Sequence, residues 1–220
     1  MYKKSMIFIF CILLSIFCMM YLFPSVGECR VNNNDNKIVE YSNPLSEKDI
    51  EYILSFPKGS RPEPETYLDS KYIKNHLKLF SNGISLIVGL DTYYKYIAFN
   101  IFVGREDNTC FVMPKYVCDA IEVLSDGDLS VWEKMLSFDD GYFTNQGGIV
   151  RLDINYIKNL NIRMSNGNEL GANEYWIPGG YTIGGIPEAV TNKIPVNRVK
   201  VTIYNKKKNS NRVANIGYPE

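Results

Sequence analysis

The stretch Gly171–Val190, GANEYWIPGGYTIGGIPEAV, constrains this chain more than any other. It puts five glycines, two prolines and two glutamates around one tryptophan. Glycine is needed where backbone turns with positive φ or must approach another group closely. One Gly-Gly pair suits an ordinary hairpin turn. Two pairs five residues apart, Gly179–Gly180 and Gly184–Gly185, predict a shaped loop that wraps. Such a loop is expected to wall a ligand cleft. Read as a strand, Glu174 and Trp176 share one face. A carboxylate beside an aromatic plane can hold a ring and stabilise a cation. The alternative, Trp176 in the core and Glu174 and Glu188 on the surface, stands at even weight.

Around this stretch the periodicity changes along the chain. SEKDIEYILSF begins with Ser46 and Asp49 at capping-box spacing and continues with Ile50, Ile53 and Leu54 on one helical face. PKGSRPEPE, at 57–65, is too rich in proline to be regular. YLDSKYIKNHLKLF predicts a helix with Ile73, Leu77 and Phe80 in one stripe. ISLIVG and TCFVM read as strands, and Pro114 opens a helix through KYVCDAIEVL. DTYYKYIAF is ambiguous between helix and strand, and DLSVWEKMLSF is a further helix. IVRLDI alternates, with Val150, Leu152 and Ile154 on one side and Arg151 and Asp153 on the other. LNIRM, EYWI and VNRVKVTIYN follow as strands. Helices in the first half and strands in the second predict an α+β fold, N-terminal helices followed by a small mixed or antiparallel sheet.

The N-terminus reads as a targeting segment. A basic start precedes an uncharged apolar run, Met6–Phe23, and Ser25 and Gly27 fit the −3 and −1 positions of a cleavage site. Residues 1–27 are therefore expected to be a signal peptide. A membrane anchor is the alternative, since the 18-residue run is close to the roughly 20 needed to span. Secretion, or an extracytoplasmic or membrane-anchored location, follows. Residues 28–45 read as a linker, 46–205 as one domain and 206–220 as a polar tail. Without residues 1–27 the chain has 22 basic and 24 acidic side chains, which gives no general drive towards nucleic acid or anionic lipid. Cys110 and Cys118 either pair in an oxidising compartment or stay as buried thiols. One histidine and no CxxC or HExxH exclude the common zinc patterns, so no metal is expected.

Over residues 57–195 the chain resembles a C-terminal toxin domain of Rhs-type and other polymorphic bacterial toxins. The specific pieces are Gly167-Asn168-Glu169, Gly171-Ala172-Asn173, Trp176-x-Pro178-Gly179-Gly180 and Pro187-Glu188-Ala189. Ile183 departs from that pattern, standing between the glycine pairs where a small residue is expected. The resemblance implies an exported effector with a target protein or small molecule and a cognate immunity protein as partners. NEYWIPGGYT is also similar to the late strand of ADP-ribosyltransferase-like toxins, which implies a split sheet whose cleft takes NAD as substrate. That likeness makes Glu174 the carboxylate that stabilises the ribosyl cation, with Glu188 as second choice. It gives phosphate binding to Arg61 or Arg105, pocket lining to Ser85, and contact with the dinucleotide to Trp176, Gly179 and Gly180. The chain lacks a Ser-Thr-Ser strand, its one Glu-x-Glu (Glu63, Glu65) lies in the Pro-rich loop, and no G-x-G-x-x-G or P-loop is present.

Two rival readings remain. His76, the lone histidine, with Arg105 and Glu174, would suit an RNase-type toxin. The near-neutral charge opposes this, and a packed helix residue is the favoured role for His76. A secreted, non-catalytic binding protein needs no catalytic carboxylate, and the sixteen tyrosines would serve its surface.

Overall fold

The structure, a computed structural model, describes residues 29–32, 38–41 and 43–205. The signal-peptide or anchor reading and the polar tail lie outside these residues. The chain divides into two compact units, Met1–Pro44 and Leu45–Glu220. In the first, β1 (Cys29–Asn32) pairs antiparallel with β2 (Ile38–Tyr41), Cys29 opposite Tyr41. The segment expected to be a linker therefore carries a ladder. Val31, Ile38 and Val39 favour its extended backbone.

The second unit opens with α1 (Glu47–Ser55), and the capping box forms as its spacing predicts. Asp49 N–H donates to Ser46 Oγ at 3.3 Å, and the Asp49 carboxylate accepts from Ser46 N–H at 3.0 Å. A 3-10 turn at Pro64–Thr66 follows in the Pro-rich loop. Helix α2 (Ser70–Lys78) starts on Asp69, whose carboxylate accepts from the N–H groups of Lys71 and Tyr72. Phe80 is buried as the stripe predicts, but the most buried side chain of the helix itself is His76.

The remaining elements are β3 (Ile84–Gly89), α3 (Leu90–Tyr96), β4 (Phe102–Val103), β5 (Cys110–Pro114), α4 (Lys115–Ser125), α5 (Leu129–Met135), α6 (Tyr142–Asn145), β6 (Gly148–Ile154), β7 (Ala189–Thr191), β8 (Ile194–Pro195) and β9 (Lys200–Asn205). Helices and a five-stranded sheet make the expected α+β fold. The sheet order is β7-β5-β3-β6-β9, and every neighbouring pair is antiparallel. Its centre comes from the helix-rich first half, because Ile84–Gly89 is apolar enough to be buried on both faces. A second ladder joins β4 to β8.

Register decides where a cleft can form. Strand β3 pairs with β6 over all six of its residues, but with β5 only at Ile84–Pro114 and Ser85–Met113. Beyond Ser85 the two strands part. The sheet is therefore split, with β9, β6 and β3 on one side and β5 and β7 on the other.

One sheet face builds the core, with Ile84, Leu86, Val150, Leu152 and Ile154 packed against Phe80 and Ile194. The other carries Arg151 and Asp153, as the alternation predicts, yet both are buried under α4. Arg151 Nε donates to Asp153 at 2.8 Å, and its two terminal nitrogens reach Asp119 and Glu122. Ser85 Oγ also donates to Asp153. Three carboxylates around Arg151, and two donors on Asp153, make this buried charge tolerable.

Three expectations change. EYWI is not a strand: Tyr175 N–H donates to Asn173 Oδ1 at 3.1 Å and Trp176 N–H to Asn173 O at 3.2 Å, and this Asx turn takes the backbone out of a ladder. LNIRM contributes only the bridge between Arg163 and Val190. VNRVKVTIYN begins with a 3-10 turn at Val196–Arg198, so β9 starts at Lys200. Cys110 and Cys118 are free buried thiols; burial pushes both up to about 12.

Candidate functional site

A cleft of about 730 Å³ lies where β3 and β5 part. Its volume falls within the range of small-molecule sites. Residues of both strands line it, from Ser85 to Gly89 and from Cys110 to Met113. Aromatic rings form the rest of the wall. Phe138 and Tyr142 stack at 4.5 Å, and Tyr175, Trp176 and Tyr181 come from the glycine-rich stretch. The buried Glu133 carboxylate holds the Phe138–Tyr142 side by accepting from Gly141 N–H and Phe143 N–H, each at 2.8 Å. Tyr175 Oη donates to Asp139 at 2.6 Å, joining the two aromatic sides.

Of the residues singled out from sequence, Ser85, Arg105, Trp176 and Glu188 line the cleft. Arg105 is exposed, on the loop between β4 and β5. Ser85 turns its hydroxyl to Asp153. Glu174 is exposed and outside the lining, because the Asx turn at Asn173 replaces the strand that would have aimed it inward. His76, Arg61, Gly179 and Gly180 are also outside the lining and support the residues within it.

That support has a definite geometry. Helix α2 presents Tyr72 and His76 one turn apart. Tyr72 Oη donates to Gly179 O at 2.7 Å, and His76 Nε2 lies 2.9 Å from Glu188 O. Because that acceptor is a carbonyl, Nε2 carries the proton and Nδ1 is the bare nitrogen; Nδ1 is buried without a partner. Burial lowers the His76 pKa to about 4, so the ring is neutral. Glu188 N–H donates across the loop to Gly180 O at 2.7 Å.

Arg61 lies over the Trp176 ring at 4.9 Å and donates from Nη1 to Gly167 O at 3.0 Å. Asn168 accepts from the N–H groups of Gly59 and Arg61, at 2.7 and 3.0 Å. The Glu169 carboxylate gathers Gly167 N–H and Ser165 Oγ, at 2.9 and 2.8 Å. Gly167-Asn168-Glu169 thus staples the Pro-rich loop beneath Trp176.

Glu188 differs from Glu169. Among the described residues no hydrogen bond reaches its carboxyl, and the residue belongs to the cleft lining. Burial raises its pKa to about 8, and the charge of Glu169 adds to the shift. The shift favours the protonated carboxyl at neutral pH. Ser137 is a second polar group without a partner. Its hydroxyl is buried, it lines the cleft, and its backbone is left-handed at φ 58°. Sequence reading missed Ser137, because MLSF continued the α5 pattern; the following Asp139-Asp140-Gly141 turn was the only hint.

Among the described residues no cluster of three His, Cys, Asp or Glu side chains is placed to hold a metal. No helix among them is long and apolar enough to cross a membrane. No protein-family model matches the chain, and no curated protein matches it significantly. The arrangement can hold a flat ring between aromatic walls, present Arg105 to an anionic group, and place a convertible carboxyl beside a developing positive charge.

Proposed function

We propose that this chain is an exported toxin-type effector that breaks the nicotinamide–ribose bond of NAD in the cleft between β3 and β5, with Glu188 as its carboxylate. The unpartnered Glu188 carboxyl on an aromatic cleft of the split sheet carries this reading. A neutral carboxyl in an apolar site ionises when a cation enters, since opposite charge favours the charged form. The nicotinamide ring of NAD is such a cation, and the aromatic walls suit its plane.

In the reaction the C1′–N bond breaks and its electron pair leaves with neutral nicotinamide. Positive charge moves onto the ribosyl carbon and ring oxygen. Glu188, ionised by the substrate, lies in a low-dielectric setting where a fixed carboxylate stabilises that charge strongly. Water or an acceptor side chain then adds to C1′ and loses a proton. Arg105 at the rim supplies a guanidinium for the diphosphate. Glu188 replaces Glu174 in the key role, because Glu174 is exposed away from the lining. The RNase reading has less support: His76 is buried, neutral and already engaged with Glu188 O.

The test uses purified residues 28–220, Glu188→Gln and Glu174→Gln with NAD, and reads released nicotinamide by chromatography. Release by the parent and Glu174→Gln, with a loss of about 10²-fold or more in Glu188→Gln, is expected. No release by the parent, or equal release by Glu188→Gln, refutes the reading and leaves the non-catalytic binding protein.

A further inference from the structure

The near-neutral total charge hides an uneven distribution. Residues 155–168 and 189–200 carry Lys158, Arg163, Lys193, Arg198 and Lys200 and no Asp or Glu. The fold joins these two segments. Arg163 and Val190 form a bridge, Asn192 N–H donates to Leu160 O at 2.8 Å, and Arg198 Nη1 donates to Lys158 O at 3.1 Å. Lys193 N–H donates to Asn108 Oδ1, on the loop that carries Glu106 and Asp107, and Lys200 stands opposite Asp153 in the β6–β9 register. Lys158, Arg163 and Arg198 form no ion pair among the described residues. The carboxylates that flank the two segments in sequence are placed elsewhere. Asp153 is taken by Arg151 and Ser85, Glu169 by Ser165, Asn166 and Gly167, and Glu188 belongs to the cleft.

Three features of this cationic surface fit one class of partner. First, Arg198 lies over the Tyr156 ring at 5.4 Å, and that ring is still 58% exposed. A guanidinium on an open ring is a platform on which a nucleobase stacks. Second, Asn155, Asn159, Asn161 and Asn197 are exposed on the same two segments. A carboxamide offers a donor and an acceptor together, which a base edge uses, whereas a headgroup phosphate or a protein carboxylate only accepts. Third, Tyr156 is the one exposed large apolar side chain of these segments. A bilayer would need apolar side chains to bury, and a protein partner an apolar centre within the patch.

We propose that this surface binds single-stranded nucleic acid. Lys158, Arg163 and Arg198 meet phosphates, and Tyr156 with Arg198 stacks a base. Asn159 and Asn161, on left-handed backbone at φ 67° and 53°, offer bonds to base edges. The surface is separate from the cleft, since none of Tyr156, Lys158, Arg163 and Arg198 lines it. It needs neither the NAD reading nor any chemistry on the bound strand.

Residues 28–220 serve for the test, since the compact unit begins at Leu45 and the buried apolar side chains run from Ile53 to Ile194 within it. Fluorescence anisotropy uses labelled single-stranded RNA and DNA of mixed sequence over a range of salt. The parent is expected to bind, more weakly as salt rises. Tyr156→Ala is expected to weaken binding about tenfold, and Tyr156→Phe to keep it. Lys158→Ala is expected to cost about two- to fivefold, with a salt slope shallower by about 0.7. All three variants are expected to melt at the parent's temperature. Lys206→Ala/Lys207→Ala/Lys208→Ala is expected to retain most of the binding and the full Tyr156→Ala effect. Absence of parent binding to either strand overturns the proposal. So does equal binding by Tyr156→Ala, which would leave bare charge attraction, or loss in the tail variant alone. Binding to phosphatidylserine vesicles in place of the oligonucleotides would assign the surface to lipid instead and overturn it as well.

Discussion

His76 Nε2 lies 2.9 Å from the carbonyl oxygen of Glu188, and that bond ties helix α2 to a residue of the cleft lining. The single histidine thus acts on the site from behind. It fixes the backbone of Glu188 while its own ring stays neutral, packed between Phe80 and Tyr181.

His76 sets an acid limit on stability. Its pKa is near 6.5 unfolded and about 4 in the fold. Between those values the unfolded chain binds the extra proton, so stability falls as pH drops from about 6.5 to 4. Glu188 titrates with the opposite sign over part of that window. The contribution of His76 is therefore read as a difference in urea unfolding: the parent is expected to lose stability relative to His76→Phe as pH drops from about 6.5 to 4. The variant is also expected to be about 1–3 kcal/mol less stable at neutral pH, because Glu188 O loses its donor. An unchanged slope in His76→Phe would assign the window to other groups.

Glu188 works in the opposite direction. Its pKa rises from the ordinary 4.5 to about 8 on folding. The native state therefore holds a proton that the unfolded state has lost, and stability falls as pH rises from about 4.5 to 8. Glu188→Gln is expected to match the parent at the acid end of this range and to be more stable by a few kcal/mol at the alkaline end, read as a higher melting temperature. A cationic ligand that ionises Glu188 also releases a proton near neutral pH. Calorimetry of NAD binding in buffers of different ionisation enthalpy measures that release directly, and a heat independent of buffer would count against it.

Local signals in the sequence carried much of the fold. Ser46 and Asp49 predict the α1 cap, Pro114 the start of α4, and the Val150–Ile154 alternation the two faces of β6. Residues whose state depends on distant partners were less legible. Glu174 looked like the inward carboxylate because EYWI alternates, but Asn173 bends the backbone before any ladder forms. The parting of β3 and β5 has no local cue, since it follows from β5 leaving β3 after two residue pairs to join β7. Arg151 was legible as the off-core face of β6 but not as a buried group, because Asp119 and Glu122 arrive from α4.

The glycine-rich loop makes a sharper test. Gly180 has φ +84°, and a Cβ there would lie 2.6 Å from Met164 Cε and 2.7 Å from His76 Nε2. Gly185 has a similar φ of +79° with nothing within 4 Å. Gly185→Ala is expected to cost only the left-handed penalty of about 1–2 kcal/mol. Gly180→Ala carries that penalty and also pushes on His76, so a loss larger by about 1–3 kcal/mol is expected in denaturant unfolding. Equal losses would mean that α2 yields without cost, and the grip of His76 on Glu188 would not be rigid.

Arg151 supplies the last test, because it separates charge pairing from packing beneath the same strands. Its side chain is 4% exposed, and Asp153 beside it is 5% exposed. Arg151→Met keeps most of the volume but leaves Asp153 buried with only Ser85 donating to it, which is expected to cost about 3–5 kcal/mol. Asp153→Asn removes the stranded charge, so the Arg151→Met/Asp153→Asn pair should be less destabilised than the two single losses added together. A coupling of at least about 1 kcal/mol in a double-mutant cycle is expected. Strict additivity would mean that Asp119 and Glu122, on the more exposed side of α4, hold Arg151 without help from Asp153.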